Sequence, residues 1–152
     1  MTDRGRLGLE AEDDLAALLG RLGVSATPHR LAVVAVVARS GRPVRAIEVL
    51  ESLRSETSIN RVTVYRILDL LVEKRVLERL SAGDRSFRYG LAPGVHRRPH
   101  AHFYCQTCGA MECLSLEAAD LVGLPLTSRL GGVVNKVEIR LDGTCRECLS
   151  EE

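Results

Sequence analysis

Apolar residues recur every three or four positions through the first half of the chain, and the period shortens after residue 75. Leu15, Leu18, Leu19 and Leu22 share a helical face, and Gly23 closes that segment. Thr27-Pro28 supplies an N-cap and then a proline at the first helical position, where a missing N–H costs nothing. Leu31, Val34, Ala35 and Ala38 continue that second helix, and Ser40-Gly41-Arg42-Pro43 breaks it. Residues 44–53 predict a third, short helix that buries Ile47, Leu50 and Leu53. A fourth helix is expected from about Asn60 to Lys74, capped by Ser58 or Asn60, with Val64, Ile67, Leu68 and Leu71 as its core stripe. Residues 76–80 then read as a strand, 81–84 as a turn and 86–89 as a second strand. A hairpin directly after a helix-turn-helix is a wing.

Beyond the wing, Leu91-Ala92-Pro93-Gly94-Val95 reads as a hinge. Residues 101–105 suit a strand. His100 and His102 share one face of it, while Cys105 has the opposite parity, which argues for two separate metal sites. Gly109 turns the chain into a second strand, residues 110–114, which carries Cys113. Residues 115–130 have helical composition disturbed by Gly123 and Pro125, so a short or broken helix is expected, restarting with Pro125 in its first turn. From Val133 to Leu141 apolar and polar residues alternate, predicting a half-buried strand that delivers Gly143-Thr144-Cys145 to a metal. The expected class is α+β: a winged helix-turn-helix domain over residues 1–92, then a small α/β domain over 93–152. A sheet and helix this small cannot bury all their apolar faces, which suits a dimerisation module.

The strongest chemistry lies in two pairs, Cys105-Gln106-Thr107-Cys108 and Cys145-Arg146-Glu147-Cys148. Each pair clamps one side of a tetrahedral ion, and a closed set of four thiolates suits zinc. Thirty-six residues separate the pairs, against roughly 15–20 in a simple ribbon, so the ion would staple the two ends of a small domain. Two redox pairs are the competing reading. A thioredoxin-like site, however, needs only one pair at the start of a helix.

On the fourth helix, Arg61, Thr63, Tyr65 and Arg66 crowd the first two turns, with Arg61 and Tyr65 one turn apart. Long donors at a helix N-terminus reach base edges or phosphates in a major groove, and Arg85 at the wing tip suits a phosphate or the minor groove. Net charge of +1 hides an asymmetry. Residues 1–92 carry 15 Lys/Arg against 12 Asp/Glu, and residues 93–152 carry 6 against 8. The excess is modest, so position argues for nucleic acid more than total charge does. No apolar run is long enough to span a membrane, and the charged N-terminus lacks a signal-peptide core. A cytoplasmic protein is expected, whose reduced thiols ligate metal. There is no nucleophile–base constellation and no phosphate-cradling glycine loop. The closed thiolate set offers no open position for hydrolysis either, so no enzyme and no small organic substrate are expected.

Four stretches together resemble the ferric uptake regulator family of bacterial repressors, most closely its zinc uptake regulator branch. They are the run from Gly23 to Leu31, Thr63-Val64-Tyr65-Arg66-Ile67-Leu68, the run from His100 to Gly109, and Gly143-Thr144-Cys145-Arg146-Glu147-Cys148. The resemblance implies a homodimer on a double-stranded DNA operator, structural Zn2+ on Cys105, Cys108, Cys145 and Cys148, one per protomer, and DNA contacts from Tyr65 and Arg66 helped by Arg30 and Arg85. It also implies a second, regulatory divalent metal at the junction of the domains. Departures narrow that metal. Pro99 and Ala101 replace two usual ligands, Arg42-Pro43 and Gly90 stand where iron-type sites take a histidine and an acid, and the last strand has no histidine. What remains is Glu78 at the first wing strand, with His100, His102 and Cys113, a set suited to zinc. His96 is an alternative fourth ligand, and His29 reads as structural or as a phosphate contact. The expected function is a metal-dependent transcriptional repressor that senses zinc and controls metal-uptake genes. The alternatives are a same-family regulator answering iron, manganese, nickel or peroxide, and more remotely a zinc-stabilised thiol oxidoreductase.

Overall fold

The computed structural model describes residues 12–95, 100–117 and 131–150. Helix α1 (Glu12–Arg21) opens with Glu12, Asp13 and Asp14, whose charges suit a helix N-terminus, and it buries Leu15, Leu18 and Leu19. Gly23 turns at φ 72°, a conformation that needs no side chain. Helix α2 (Pro28–Ser40) starts at the expected proline. Thr27 occupies the cap position without a side-chain hydrogen bond, and Gly41 ends the helix in the left-handed region.

Helix α3 (Ala46–Arg54) begins two residues later than the apolar pattern suggests. Val44 is instead a β-bridge residue: its N–H donates to Tyr89 O at 3.0 Å, and its carbonyl accepts from Tyr89 N–H at 2.8 Å. Glu48 then accepts from the Arg45 N–H at 2.8 Å and starts the helix there. Helix α4 (Arg61–Glu73) is capped by Asn60, whose Oδ1 accepts from the Thr63 N–H at 2.9 Å. Strands β1 (Leu77–Ser81) and β2 (Phe87–Leu91) form the wing, antiparallel, with Glu78 opposite Gly90. The apolar faces of α1–α4 close around Leu19, Val33, Val34, Leu53, Val64 and Leu68, and that core extends to Leu77 and Tyr89 of the wing.

The second half is a three-stranded sheet with its first strand in the middle. Strand β3 (His100–Cys105) pairs antiparallel with β4 (Met111–Glu117) and parallel with β5 (Ile139–Gly143), and a short helix α5 (Arg146–Ser150) follows. Two expectations change. Strand β4 runs three residues past Leu114, into the stretch assigned to a broken helix; the rest of that helix lies outside the described residues. The alternation from Val133 produces strand only from Ile139. Residues 133–138 take no place in the ladder, and Val133, Val134 and Val137 stay exposed. Their polar neighbours turn to the wing instead: Lys136 Nζ donates to Arg79 O at 3.3 Å, and Ser81 Oγ donates to Glu138 at 3.4 Å.

Wing and sheet are in contact. Leu80 and Ala82 form a small buried cluster with Tyr104 and Met111, and Arg140 donates to Ser81 O at 2.7 Å. Gly83 lies so close to the Tyr104 ring that a Cβ there would sit 2.9 Å from a ring carbon. Gly94, in the expected hinge, turns at φ 88°.

Candidate functional site

The first cluster forms where three pieces of backbone meet. Cys105 ends β3, buried. Its N–H donates to Ala110 O at 2.9 Å, its carbonyl accepts from the Gly109 N–H at 2.9 Å, and Gln106 N–H reaches Gly143 O at 2.7 Å. These bonds fold residues 105–110 into a knuckle against the start of the loop that carries Cys145, and α5 then presents Cys148. The Cys105 and Cys148 sulfurs lie 4.0 Å apart, the Cys108 and Cys145 sulfurs 3.9 Å apart, and all four within 4.8 Å of one another. A tetrahedral ion with metal–sulfur bonds of about 2.3 Å would set sulfurs about 3.8 Å apart, so the donor set fits zinc. The Cys145 N–H also donates to Cys105 Sγ at 3.3 Å. The amides of Cys108 and Cys145 pull the Cys105 thiol down to about 6, while the neighbouring sulfurs, Cys145 foremost, push the Cys148 thiol up.

The second cluster holds His100, His102 and Cys113, whose ligand atoms lie within 4.8 Å of one another. Strand register explains it, since His102 sits directly opposite Cys113 on β4. A register irregularity between His100 and His102 accompanies a ring-centroid separation of 4.6 Å. His102 is 4% exposed, and neither of its ring nitrogens has a hydrogen-bond partner among the described residues. An orphaned buried imidazole of that kind suits a metal ligand. Burial, reinforced by His100, pushes its pKa down to about 4, which keeps it neutral and able to ligate.

Glu78 reaches this region from β1, with Oε1 3.9 Å from His102 Nε2. It is not part of the group whose members all lie within 4.8 Å of one another, so the four expected sensing residues meet as three plus a flanking carboxylate. Burial lifts the Glu78 carboxyl to about 7, against the pull of Lys136. A cavity of about 10 Å³, roughly the room of one water or ion, lies between Glu78, His100, His102, Lys136 and Glu138. Sequence reasoning missed Lys136 and Glu138, which it set on the outer face of an unbroken strand. His96 lies outside the described residues.

The third surface is the start of α4. Arg61, Tyr65 and Arg66 are exposed, and the Arg61 guanidinium stacks 5.4 Å from the Tyr65 ring centre. Thr63 is half-buried, beside the capped turn. Val62, 60% exposed, sits among them and was not singled out in the sequence. Arg85 is exposed at the wing tip at φ 63°. Arg30, expected as a helper in DNA contacts, donates from its guanidinium to the carbonyl of Ser25 at 3.1 Å and to the Ser25 hydroxyl.

These features define a class: a winged-helix domain joined to a small α/β domain that carries a four-cysteine cluster and, at the joint, a second cluster of imidazoles and a thiolate. Comparison with known proteins agrees. The sequence profile of the ferric uptake regulator family matches residues 21–122, and the chain belongs to that family. It is 28% identical over 128 residues to the ferric uptake regulation protein of Bacillus subtilis (strain 168), covering 83% of this chain and 86% of the relative. It is 27% identical over 132 residues to the zinc uptake regulation protein of Escherichia coli (strain K12), covering 85% and 75%. Among solved structures, the Helicobacter pylori ferric uptake regulator matches with a TM-score of 0.72 at 22% identity, over 89% of this chain and 93% of that one. A zinc uptake regulator complexed with zinc and DNA matches with a TM-score of 0.67 at 23% identity, over 99% and 98%. The α+β fold expected from the sequence is the family's fold, and a family of regulators rather than enzymes agrees with the absence of catalytic machinery in the sequence. Among the described residues no helix is long and apolar enough to cross a membrane. Iron-named and zinc-named relatives match at nearly the same identity, so the choice of metal rests on the site.

Proposed function

We propose that this chain is a homodimeric, metal-dependent repressor that binds operator DNA in the cytoplasm, answers zinc and controls metal-uptake genes. One observation carries the reading: the buried His102, with His100 and Cys113 beside it, faces Glu78 of the wing strand at 3.9 Å. A thiolate and a carboxylate there would balance the two charges of a divalent ion, and the neutral imidazoles would add two lone-pair donors. His100, His102 and Cys113 hold it from the sheet, and Glu78 or Glu138 completes the set. A Glu78 that ligates ties β1 to β3 and so fixes the wing and α4 against the dimerising domain. The two recognition helices of a dimer must match half-sites related by its two-fold axis, so fixing that angle sets DNA affinity. Only binding that is stronger in the DNA-competent shape shifts the balance. Cys105, Cys108, Cys145 and Cys148 hold a separate structural zinc, one per protomer. The exposed Val133, Val134, Val137 and Leu141 are the face a second copy would cover.

A thiolate with two imidazoles favours zinc over a hard-ligand ion. The carboxylates of Glu78 and Glu138 beside the cavity favour the second reading, a regulator of the same family that answers iron or manganese. Fluorescence anisotropy of labelled operator DNA, titrated with zinc, ferrous iron and manganese, separates them. Zinc is expected to promote binding at the lowest free concentration, and His100→Ala is expected to abolish that response in a protein that stays folded and dimeric. Activation by ferrous iron or manganese but not zinc would overturn the choice of metal. An unaltered zinc response in His100→Ala would overturn the sensing site.

A further inference from the structure

Arg88 is a charged side chain in an unusual place. It lies on wing strand β2 between Phe87, which is 48% exposed, and Tyr89, which is buried, and it is itself only 2% exposed. A buried guanidinium needs acceptors all round it. This one finds them in two places. On the wing turn it meets Asp84 Oδ2 at 3.2 Å and the hydroxyl of Ser86. On the knuckle it donates through Nη2 to the carbonyl of Gly109 at 3.0 Å. Gly109 directly follows Cys108, and its own N–H closes the knuckle on Cys105 O. Tyr104, one residue before Cys105, lies 6.0 Å beneath the guanidinium and also supports Gly83 at the turn. The turn that presents Arg85 is thus seated on the segment that presents Cys105 and Cys108.

We infer that Arg88 is a positioning residue that relays the state of the four-cysteine cluster to the wing tip. With the knuckle closed, the Gly109 carbonyl is in place and the guanidinium holds residues 82–86 in one conformation. When the cysteines lose their ion and the knuckle opens, that acceptor moves and the turn is released. The cluster then acts on DNA affinity through the wing, in addition to any role in assembly. This inference rests on the proposed zinc occupancy of the four cysteines and on the reading of Arg85 as a DNA contact.

The test uses the full chain with Cys113→Ser, which removes the other cluster's response, and compares metal-loaded with chelator-stripped, reduced protein. Amide hydrogen exchange over residues 82–86 is expected to rise about tenfold on stripping, while α4 stays protected. In Arg88→Met the turn is expected to exchange fast already in the loaded protein and to gain nothing on stripping, with the cobalt–thiolate absorbance of the cluster unchanged. Arg88→Lys, which keeps the charge but not the fork, is expected to fall between. On a duplex selected by the wild-type chain from a random pool, and with Cys113 intact and both clusters loaded, Arg88→Met is expected to weaken binding about tenfold, with no further loss in an Arg85→Ala background, because contacts that act through one another are not additive. Unchanged exchange over 82–86 in stripped protein with Arg88 intact would overturn the relay, as would loss of the cobalt–thiolate absorbance in Arg88→Met. An Arg85→Ala variant with undiminished affinity would sink the DNA reading of the wing, and the exchange measurement would still decide the relay.

Discussion

His102 of β3 stands directly across the ladder from Cys113 of β4. Residues opposite one another in an antiparallel pair project to the same face, so the register itself places an imidazole beside a thiol. The same register sets Tyr104 opposite Met111 in the small cluster beneath the wing. The joint between the two halves is thus built on one ladder: a polar ligand pair at one step, an apolar support two residues along.

Cys113→Ser should weaken the second metal site by about 100-fold or more, because a hydroxyl is a poor replacement for a thiolate on zinc. Cobalt substitution reads this directly. Thiolate-to-cobalt absorbance at the second equivalent should disappear, while that of the first equivalent, on four cysteines, persists. Absorbance unchanged at both equivalents would remove Cys113 from the ligand set.

Glu78 and His102 should give the metal-free protein a pH dependence with opposing signs. Glu78 is raised from 4.5 to about 7 by burial, so the folded state holds its proton more tightly and stability falls as pH rises from about 4.5 to 7. His102 is lowered from 6.5 to about 4, so the unfolded state binds the proton more tightly and stability falls as pH drops from about 6.5 to 4. The two oppose each other between 4.5 and 6.5. Above that window only the Glu78 penalty remains. Glu78→Gln should therefore stabilise the metal-free protein at pH 8 by on the order of 2 kcal/mol, measured by urea unfolding. It should also reduce the proton release that accompanies metal binding near pH 6. A destabilised Glu78→Gln at pH 8 would contradict the buried-charge account.

The start of α4 should separate contacts that specify sequence from contacts that add charge. Arg66→Ala and Tyr65→Ala are each expected to cost about 1–3 kcal/mol of operator binding. Arg61→Ala should weaken all sequences alike and lower the salt slope by about one. Arg30→Ala should cost least, since its guanidinium is already engaged by Ser25. Anisotropy titrations over a range of salt give all four numbers, and an Arg30 effect equal to that of Arg66 would show that DNA breaks the Ser25 contact.

What the sequence disclosed follows the range of the interactions. The α4 stripe is local and was legible, and the cap was narrowed to Ser58 or Asn60, of which Asn60 makes the bond. So was the shared face of His100 and His102, which needs only strand parity. Val44 was not, because its partner Tyr89 is 45 residues away and converts a helix-like apolar residue into a bridge. Glu138 was missed for the same reason. Its partner Ser81 lies 57 residues back, and a strand read through residues 133–138 puts it on the wrong side. Cys113 was placed by family resemblance, since nothing local distinguishes a ligand cysteine from a small buried residue. Arg88 had one signal, a charge at an inward position of the wing strand, and that signal shows only once Phe87 is known to face out.

The sheet's open edge supplies the last prediction. Among the described residues strand β5 pairs with β3 alone, and Leu141 on it is 45% exposed, with Val137 at 49% and Val133 at 88%. An unpaired edge with apolar neighbours exposed to water is a template for a second copy. Because Lys136, Glu138 and Arg140 are committed to the wing, the apolar residues between them are left to face outward. Leu141→Lys should raise the dimer dissociation constant by about 100-fold, close to 3 kcal/mol, by placing a charge in a desolvated contact. Sedimentation at micromolar protein should then show monomer with undiminished helix content. Operator affinity should fall with it, because one protomer reaches only one half-site. If Leu141→Lys sediments as the parent does and binds DNA equally well, the dimer forms on another face and the exposed alternation from Val133 to Leu141 needs a different occupant.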